Sequence, residues 1–322
     1  MPNQITYINP TAELMTGLDS KNFIDKFLYD LDISAKSRKT YKESLESFFN
    51  WIKTYGVGAS GYISRNDILA YKKYLDAHYS IYTANLRLTT VRLLYSWLES
   101  NMISPDITRG IKGFKKNNRT VAKDALTKDQ IIKLTTKTGD SLEEVRNQAI
   151  VTLMAYTGLR SIEIERAEID NLRNVNGKTV LYIHGKGRSS ADDYVVLAPI
   201  VAEILGKWLA TKAENEKKRN KTPESAMFIS TSRNRFGNRL KAKSIQKMVK
   251  DRMTDCGIVG NKITCHSLRH SAGSLGAEVG DILEVQTLLR HSSPTTSAIY
   301  VHQKERTSDD CIEYKIASYL TT

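Results

Sequence analysis

Cysteine is scarce in this chain: Cys256, Cys265 and Cys311 are the three present in 322 residues, and no CxxC pair occurs. That count builds neither a disulfide framework nor a cysteine zinc site, and it fits a reducing cytosol. Long apolar runs are missing too, since no stretch approaches the roughly 18 residues that a membrane-spanning helix needs. The first residues, MPNQITYINPTAEL, lack a basic region followed by an apolar run, so no secretory signal is expected. No GxxxxGKS or GxxxxGKT stretch is present, which removes a nucleotide-binding P-loop. Internal repeats and low-complexity tracts are absent as well. A soluble, cytoplasmic protein is expected, long enough for two domains with a core each.

Acidic charge is also in short supply. Asp and Glu number 35 against 48 Lys and Arg, giving a net charge of +13 and a pI near 9.4. A balance of that sign favours a polyanionic partner, DNA or RNA ahead of an acidic membrane, although a merely solvated basic surface reads the same way.

Residues 1–20 mix Pro, Asn and Thr and read as an irregular arm. Four helical patterns follow. Phe23, Phe27, Leu28 and Leu31 mark the first; Tyr41, Leu45, Phe48, Phe49 and Ile52 give the second a 3.6-residue stripe ended by Gly56. The third opens at Ser64 with Asp67 placed for a capping box and buries Ile68, Tyr71 and Leu75. Leu88, Val91, Leu94, Tyr95 and Leu98 make the fourth, after a cap at Thr83. Residues 21–112 therefore form a helical domain. Its polar faces carry Arg38, Lys39 and Lys42 on the second helix and Arg87, Thr89, Thr90 and Arg92 on the fourth. Such residues are either solubilising or phosphate contacts, and their clustering favours the face as a whole.

Residues 113–123, GFKKNNRTVAK, lose the apolar periodicity and read as a basic linker, with Lys115 and Lys116 able to follow a DNA backbone. A second domain, 124–302, opens with Thr127 and Gln130 as a capping box. A helix from Ser141, buried through Ala149, Ile150, Leu153 and Met154, ends at Gly158. Arg160 follows directly, where it either meets the helix C-terminal carbonyls, pairs with Glu163, or is held for a ligand. Apolar alternation on both sides of GKGRSS predicts a hairpin from about Thr179 to Leu197, with Lys186 between two glycines at its tip. A lysine there is solvated and idle, or it is delivered to a substrate. Val201, Ile204, Leu205, Trp208 and Leu209 build a helix whose charged tail, KAENEKKRN, is expected to be exposed. Another helix starts at Ser244, and Arg239, Lys241 and Lys243 before it are candidate phosphate contacts.

From His266 to Tyr300 the core is supplied by Leu268, Leu275, Ile282, Val285, Leu288 and Leu289. His266, Arg269, His291 and Tyr300 are left over. Two imidazoles, a guanidinium and a phenol suit the gripping and attack of a phosphodiester. His266 and His270 have zinc-ligand spacing, but an HExxH site needs Glu where this chain has Ser267. His270 and His302 are read as packing or hydrogen-bonding residues. Tyr314 and Tyr319 compete with Tyr300 as nucleophile, yet they lie with Ile312, Ile316 and Leu320 on an apolar stripe in the tail, 303–322.

Arg160 in TGLRSIEI, Lys186 in HGKGR, His266 and Arg269 in CHSLRHSAG, His291 in LLRHSS and Tyr300 in TTSAIYVH stand in a recognisable order and spacing. Over nearly its whole length the chain resembles the tyrosine site-specific recombinases, which include phage and transposon integrases and the Xer recombinases. One departure is Arg290, where many members carry Gly before the second active-site histidine. The resemblance implies a mainly α fold with a small β-hairpin or sheet, a helical SAM-like core-binding domain and a mixed α/β catalytic domain. It implies cleavage of DNA through a 3′-phosphotyrosine and rejoining to a partner duplex, without metal, ATP or other cofactor. Arg160 and Arg269 would clamp the phosphate, Tyr300 attack it and His266 take the phenol proton. His291 would bond a non-bridging oxygen and Lys186 protonate the leaving 5′-oxygen.

The implied partners are double-stranded DNA with inverted-repeat core sites, and three further copies in a tetramer on two duplexes. The tail would be exchanged between subunits, because the second domain has no evident core left for it to cover. An accessory DNA-bending or directionality protein and a nucleoid location go with this reading. A type IB topoisomerase, or a DNA-binding regulator without catalysis, are the alternatives.

Overall fold

The computed structural model describes residues 20–55, 63–115, 125–184, 191–290 and 312–321. The chain divides into two compact units, 1–120 and 121–322. Residues 1–19 of the arm, Gly56, Lys116, the hairpin tip with Lys186, and the segment with His291, Tyr300 and His302 lie outside the described residues.

The first unit is built from α1 (Ser20–Asp30), α2 (Ala35–Thr54), α3 (Arg65–His78) and α4 (Ile81–Ser100). Each start has a local cause. Ser34 Oγ accepts from the Ser37 N–H at 3.2 Å, and Ser64 and Asp67 close a capping box, the Ser64 N–H donating to Asp67 Oδ2 at 2.7 Å. The fourth helix begins earlier than expected. Its cap is Ser80, whose hydroxyl accepts from the Thr83 N–H at 3.3 Å, so Thr83 already lies inside the first turn. Phe27, Leu45, Phe48, Ile68, Tyr71, Leu88, Val91 and Leu94 meet in one core with almost no exposed surface. Trp97 joins its rim, edge-on to Phe23 and Phe27 and donating from its indole to Asp30 at 2.9 Å.

The second unit centres on α6 (Leu142–Thr157), which follows α5 (Lys128–Thr136) and is buried on every side from Val145 to Thr157. The buried Arg146 of this helix is paired inside the fold, donating to Asn147 Oδ1 at 2.7 Å and to the Ile229 carbonyl at 3.2 Å. Gly158 ends it in the left-handed region, φ 62, with its N–H on the Met154 carbonyl. The short α7 (Ser161–Arg166) comes next, then an antiparallel sheet of β1 (Leu172–Val175), β2 (Lys178–Ile183) and β3 (Asp193–Val196). The expected hairpin pairs Val180 with Val196 and Tyr182 with Tyr194. β1 is an addition to the expected hairpin: its four residues are half-buried or exposed and do not alternate, although Asn176–Gly177, both at positive φ, is a strong turn signal.

Helices α8 (Pro199–Lys218), α9 (Ala242–Asp255), α10 (Cys265–Val279), α11 (Ile282–Leu289) and α12 (Ile312–Thr321) complete the unit. The charged end of α8 is not fully exposed. Lys212 and Glu216 are 2% and 3% exposed and pair at 3.1 Å, while Lys212 also donates to the Glu224 carbonyl. A buried ion pair of this kind satisfies both charges inside the fold. The start of α9 lies at Ala242, two residues before Ser244.

The tail also departs from expectation, since its apolar stripe has a core of its own to cover. Ile312, Ile316 and Leu320 are buried with Leu268, Leu275 and Leu288 in the core of the second unit. Lys315 pairs with Glu284 at 3.2 Å, and Lys128 sits 4.0 Å from the Tyr319 ring centre. Ile316→Ala is expected to destabilise the free protein by about 3 kcal/mol in urea unfolding. A loss well under 1 kcal/mol would mean that the helix is not seated there.

Candidate active site

The end of a buried helix is where this site is assembled. Gly158 turns the chain out of α6, and Arg160 then caps α7 with its own peptide N–H held by Glu163 Oε2 at 2.7 Å. The same carboxylate takes the Arg160 side chain, Nη1 donating to Oε1 at 2.7 Å. Glu163 is 2% exposed and the Arg160 side chain 28% exposed, so the carboxylate is interior while the arginine is half-buried. Of the readings open for Arg160, pairing with Glu163 is observed.

Arg269 approaches from α10. Its side chain is almost wholly buried, with Nη1 donating to the Gly158 carbonyl at 2.6 Å and Nη2 to the Leu289 carbonyl. Gly158 is required twice over: it holds a positive φ, and a Cβ there would lie 2.9 Å from Leu289 Cδ2. Gly273 allows the same closeness between α10 and Leu289, where a Cβ would come within 2.8 Å. These contacts bring the ends of α6 and α11 and the middle of α10 onto one spot.

A third guanidinium belongs to the cluster. Arg290, the C-cap of α11, sends Nη2 to Glu163 Oε2 at 3.0 Å. Burial pushes the Glu163 carboxyl up, but the Arg290 charge and the bonds and charge of Arg160 outweigh it and hold the group below the usual carboxylate range. Burial, followed by repulsion from Arg290 and Arg160, pulls the Arg269 guanidinium down to about 9, still charged at neutral pH. Three cations thus share one carboxylate, leaving an excess of positive charge that an oxyanion would relieve. His266, exposed one turn before Arg269, lies edge-on to His270 with ring centres 4.9 Å apart. Its neighbour Cys265 is no rival nucleophile, as burial pushes that thiol up to about 12.

A family model described as "Phage integrase family" matches residues 124–306, and one described as "Phage integrase, N-terminal SAM-like domain" matches 21–101. The chain belongs to the phage integrase family. Among its relatives is a protein named tyrosine recombinase XerD from Oceanobacillus iheyensis, 28% identical over 274 residues, or 84% of this chain and 88% of that one. The fold is shared with XerH recombinase bound to palindromic difH substrate in a post-cleavage complex. That match has a TM-score of 0.68 at 21% identity and covers 91% of this chain and 85% of the other. It is shared also with a lambda integrase tetramer bound to a Holliday junction, at TM-score 0.58 and 16% identity, over 86% and 78% of the two chains.

Of the six residues that carried the resemblance to this integrase family, the structure brings Arg160 and Arg269 together and places His266 on the helix of Arg269. Lys186, His291 and Tyr300 are outside the described residues. The basic residues picked as DNA contacts divide. Arg38, Lys39, Arg92, Lys115, Lys241 and Lys243 are exposed. Lys42 pairs with Asp25 at 2.6 Å, and Arg87 lies over the Tyr79 ring at 3.9 Å and bonds Ser47. Thr90 is a correction: it is fully buried with its hydroxyl on the Leu86 carbonyl, because it shares a helix face with Leu94 and Trp97. Arg239 is held by Glu168 at 2.6 Å and by the Glu165 carbonyl, which makes it a tie within the fold. Arg290 is what the sequence reading missed; its one signal was the departure from glycine.

Because its folded pKa is lowered, Glu163 contributes stability that is complete above the ordinary carboxylate range and is lost as pH falls through the folded value. Thermal melts from about pH 7 to about pH 3 should show Glu163→Gln less stable than its parent at neutral pH, with the gap closing on acidification. A gap independent of pH would contradict the assignment.

Proposed function

We propose that the protein is a site-specific DNA recombinase that breaks and rejoins strands through a tyrosine. The observation that carries the reading is the pair of guanidiniums, Arg160 and Arg269, gathered at Gly158 and Glu163 in a chain of the phage integrase family. The Tyr300 phenol attacks the scissile phosphorus and gives its proton to His266. The bond to the 5′-oxygen breaks, and Lys186 supplies that oxygen with a proton. Arg160 and Arg269 face the non-bridging oxygens, whose charge grows as attack proceeds, and His291 donates a hydrogen bond to one of them. The product is a 3′-phosphotyrosine with a free 5′-hydroxyl. Attack by the 5′-hydroxyl of the partner duplex reverses the steps, so one phosphodiester replaces another and neither ATP nor a metal is consumed.

The finer reading assigns double-stranded DNA with inverted-repeat core sites as substrate and a tetramer on two duplexes as the working form. In that tetramer the tail passes to a neighbour and fills the seat that α12 occupies here in its own chain. The exposed Arg38 and Lys39 of α2, Arg92 of α4 and Lys115 would line the phosphate backbone, joined by Lys116 of the linker, and Lys241 and Lys243 would do so in the catalytic domain. An accessory DNA-bending or directionality protein and a cytoplasmic, nucleoid-associated location complete the proposal. No helix of the described residues is long and apolar enough to cross a membrane.

A nicked duplex carrying the recognition site traps the covalent intermediate. Wild type is expected to form a denaturant-resistant protein–DNA band and Tyr300→Phe none, while Arg160→Ala and Arg269→Ala each slow its formation by about 100-fold or more. Relaxation of supercoiled DNA without any site would favour a topoisomerase. Site binding with no covalent band in wild type would favour a regulator.

A further inference from the structure

Arg290 occupies a backbone conformation that side chains avoid. At φ 51 and ψ 47 it sits in the left-handed region at the C-cap of α11, where glycine is the usual occupant. A long charged side chain there needs a reason. Its side chain is 6% exposed, so the guanidinium is turned inward and has little surface to offer a ligand. Nη1 donates to the Leu288 carbonyl at 2.7 Å and the Thr157 carbonyl at 3.4 Å, and Nη2 donates to Glu163 Oε2 at 3.0 Å. One planar fork therefore ties the last residue of α6, the acid of α7 and the end of α11. The steps assigned above make no use of it.

We propose that Arg290 is a positioning residue for strand cleavage: it fixes the Glu163 carboxylate, and the carboxylate fixes Arg160 against the scissile phosphate. The division of labour on Glu163 supports this. Oε1 is given to Arg160 Nη1, while Oε2 is shared by the Arg160 peptide N–H and Arg290 Nη2. With Arg290 removed, Oε2 keeps only the peptide bond, and the carboxylate gains freedom to turn away from the Arg160 side chain. A guanidinium suits the task better than an ammonium, since its donors lie in one plane at fixed angles and reach two elements together. Arg290 also adds positive charge beside Arg269, which a residue kept for packing alone would not need to do. The proposal rests on the reading of Arg160 as a phosphate ligand.

Arg290→Gly removes the fork while suiting the backbone, Arg290→Lys keeps a charge without the fork, and Arg290→Asn tolerates the same backbone should the glycine variant melt early. The probe is a nicked duplex whose site is recovered from a randomised pool by retention on the wild-type protein. Arg290→Gly is expected to bind it within about threefold of wild type while its single-turnover cleavage rate falls about 100-fold, the penalty of a misplaced catalytic group. Arg290→Lys should lose less, and millimolar guanidinium ion should restore part of the glycine variant's rate without speeding the wild type. In a Glu163→Gln background, adding Arg290→Gly should slow cleavage by no more than about twofold, as expected for residues acting through one another. Cleavage at the wild-type rate by the glycine and asparagine variants would overturn the proposal, and so would an equal loss in both backgrounds. A wild type that binds its duplex but forms no covalent band would overturn the reading of Arg160 first, and the proposal with it.

Discussion

A single buried carboxylate organises the centre of the second unit. Glu163 accepts from the Arg160 peptide and side chain and from Arg290, and its negative charge also offsets the Arg269 guanidinium. Without it, three arginines would face one another where water is largely excluded, and like charges in such surroundings repel strongly. With it, the cluster holds its shape yet stays short of negative charge. Under the proposed function, that imbalance suits a phosphodiester, whose oxygens gain charge as a nucleophile arrives. Electrostatic preorganisation of this sort is set up by folding, before any DNA is bound.

The surrounding packing encloses that cluster closely. Glycines at 158 and 273 let Leu289 press against both α6 and α10, so the carbonyls of Gly158 and Leu289 meet Arg269 from two sides. Behind them α12 seals the unit through Ile316 and Leu320, with Lys315 on Glu284 of α11. The helix proposed to pass between subunits thus packs on the elements that carry Arg269 and Arg290.

Much of this was legible in the residues, for physical reasons that can be named. Capping boxes at Ser64 and Thr127, the left-handed stop at Gly158 and the stripes of α2 and α4 are local signals, and local signals survive without knowledge of the partner. The place of Arg160 beside Glu163 was readable from their spacing on one helical turn. What escaped depends on distant neighbours. Lys212 and Glu216 look solvated until Glu224 arrives, its carbonyl accepting from Lys212 and its N–H donating to Glu216, and Thr90 looks polar until its helix face is buried. β1 has too few buried residues to alternate. Arg290 stood out only as a departure from glycine; that its side chain turns inward to Glu163, 127 positions away, follows from the tertiary fold alone.

The most direct test is a crystal structure of the protein on a duplex bearing its site, with vanadate bridging Tyr300 and the freed 5′-hydroxyl. The account expects the Arg160 and Arg269 guanidiniums within about 3 Å of the equatorial oxygens while Glu163 still holds Arg160. Equatorial oxygens ringed by other side chains, with both guanidiniums turned away from them, would contradict it.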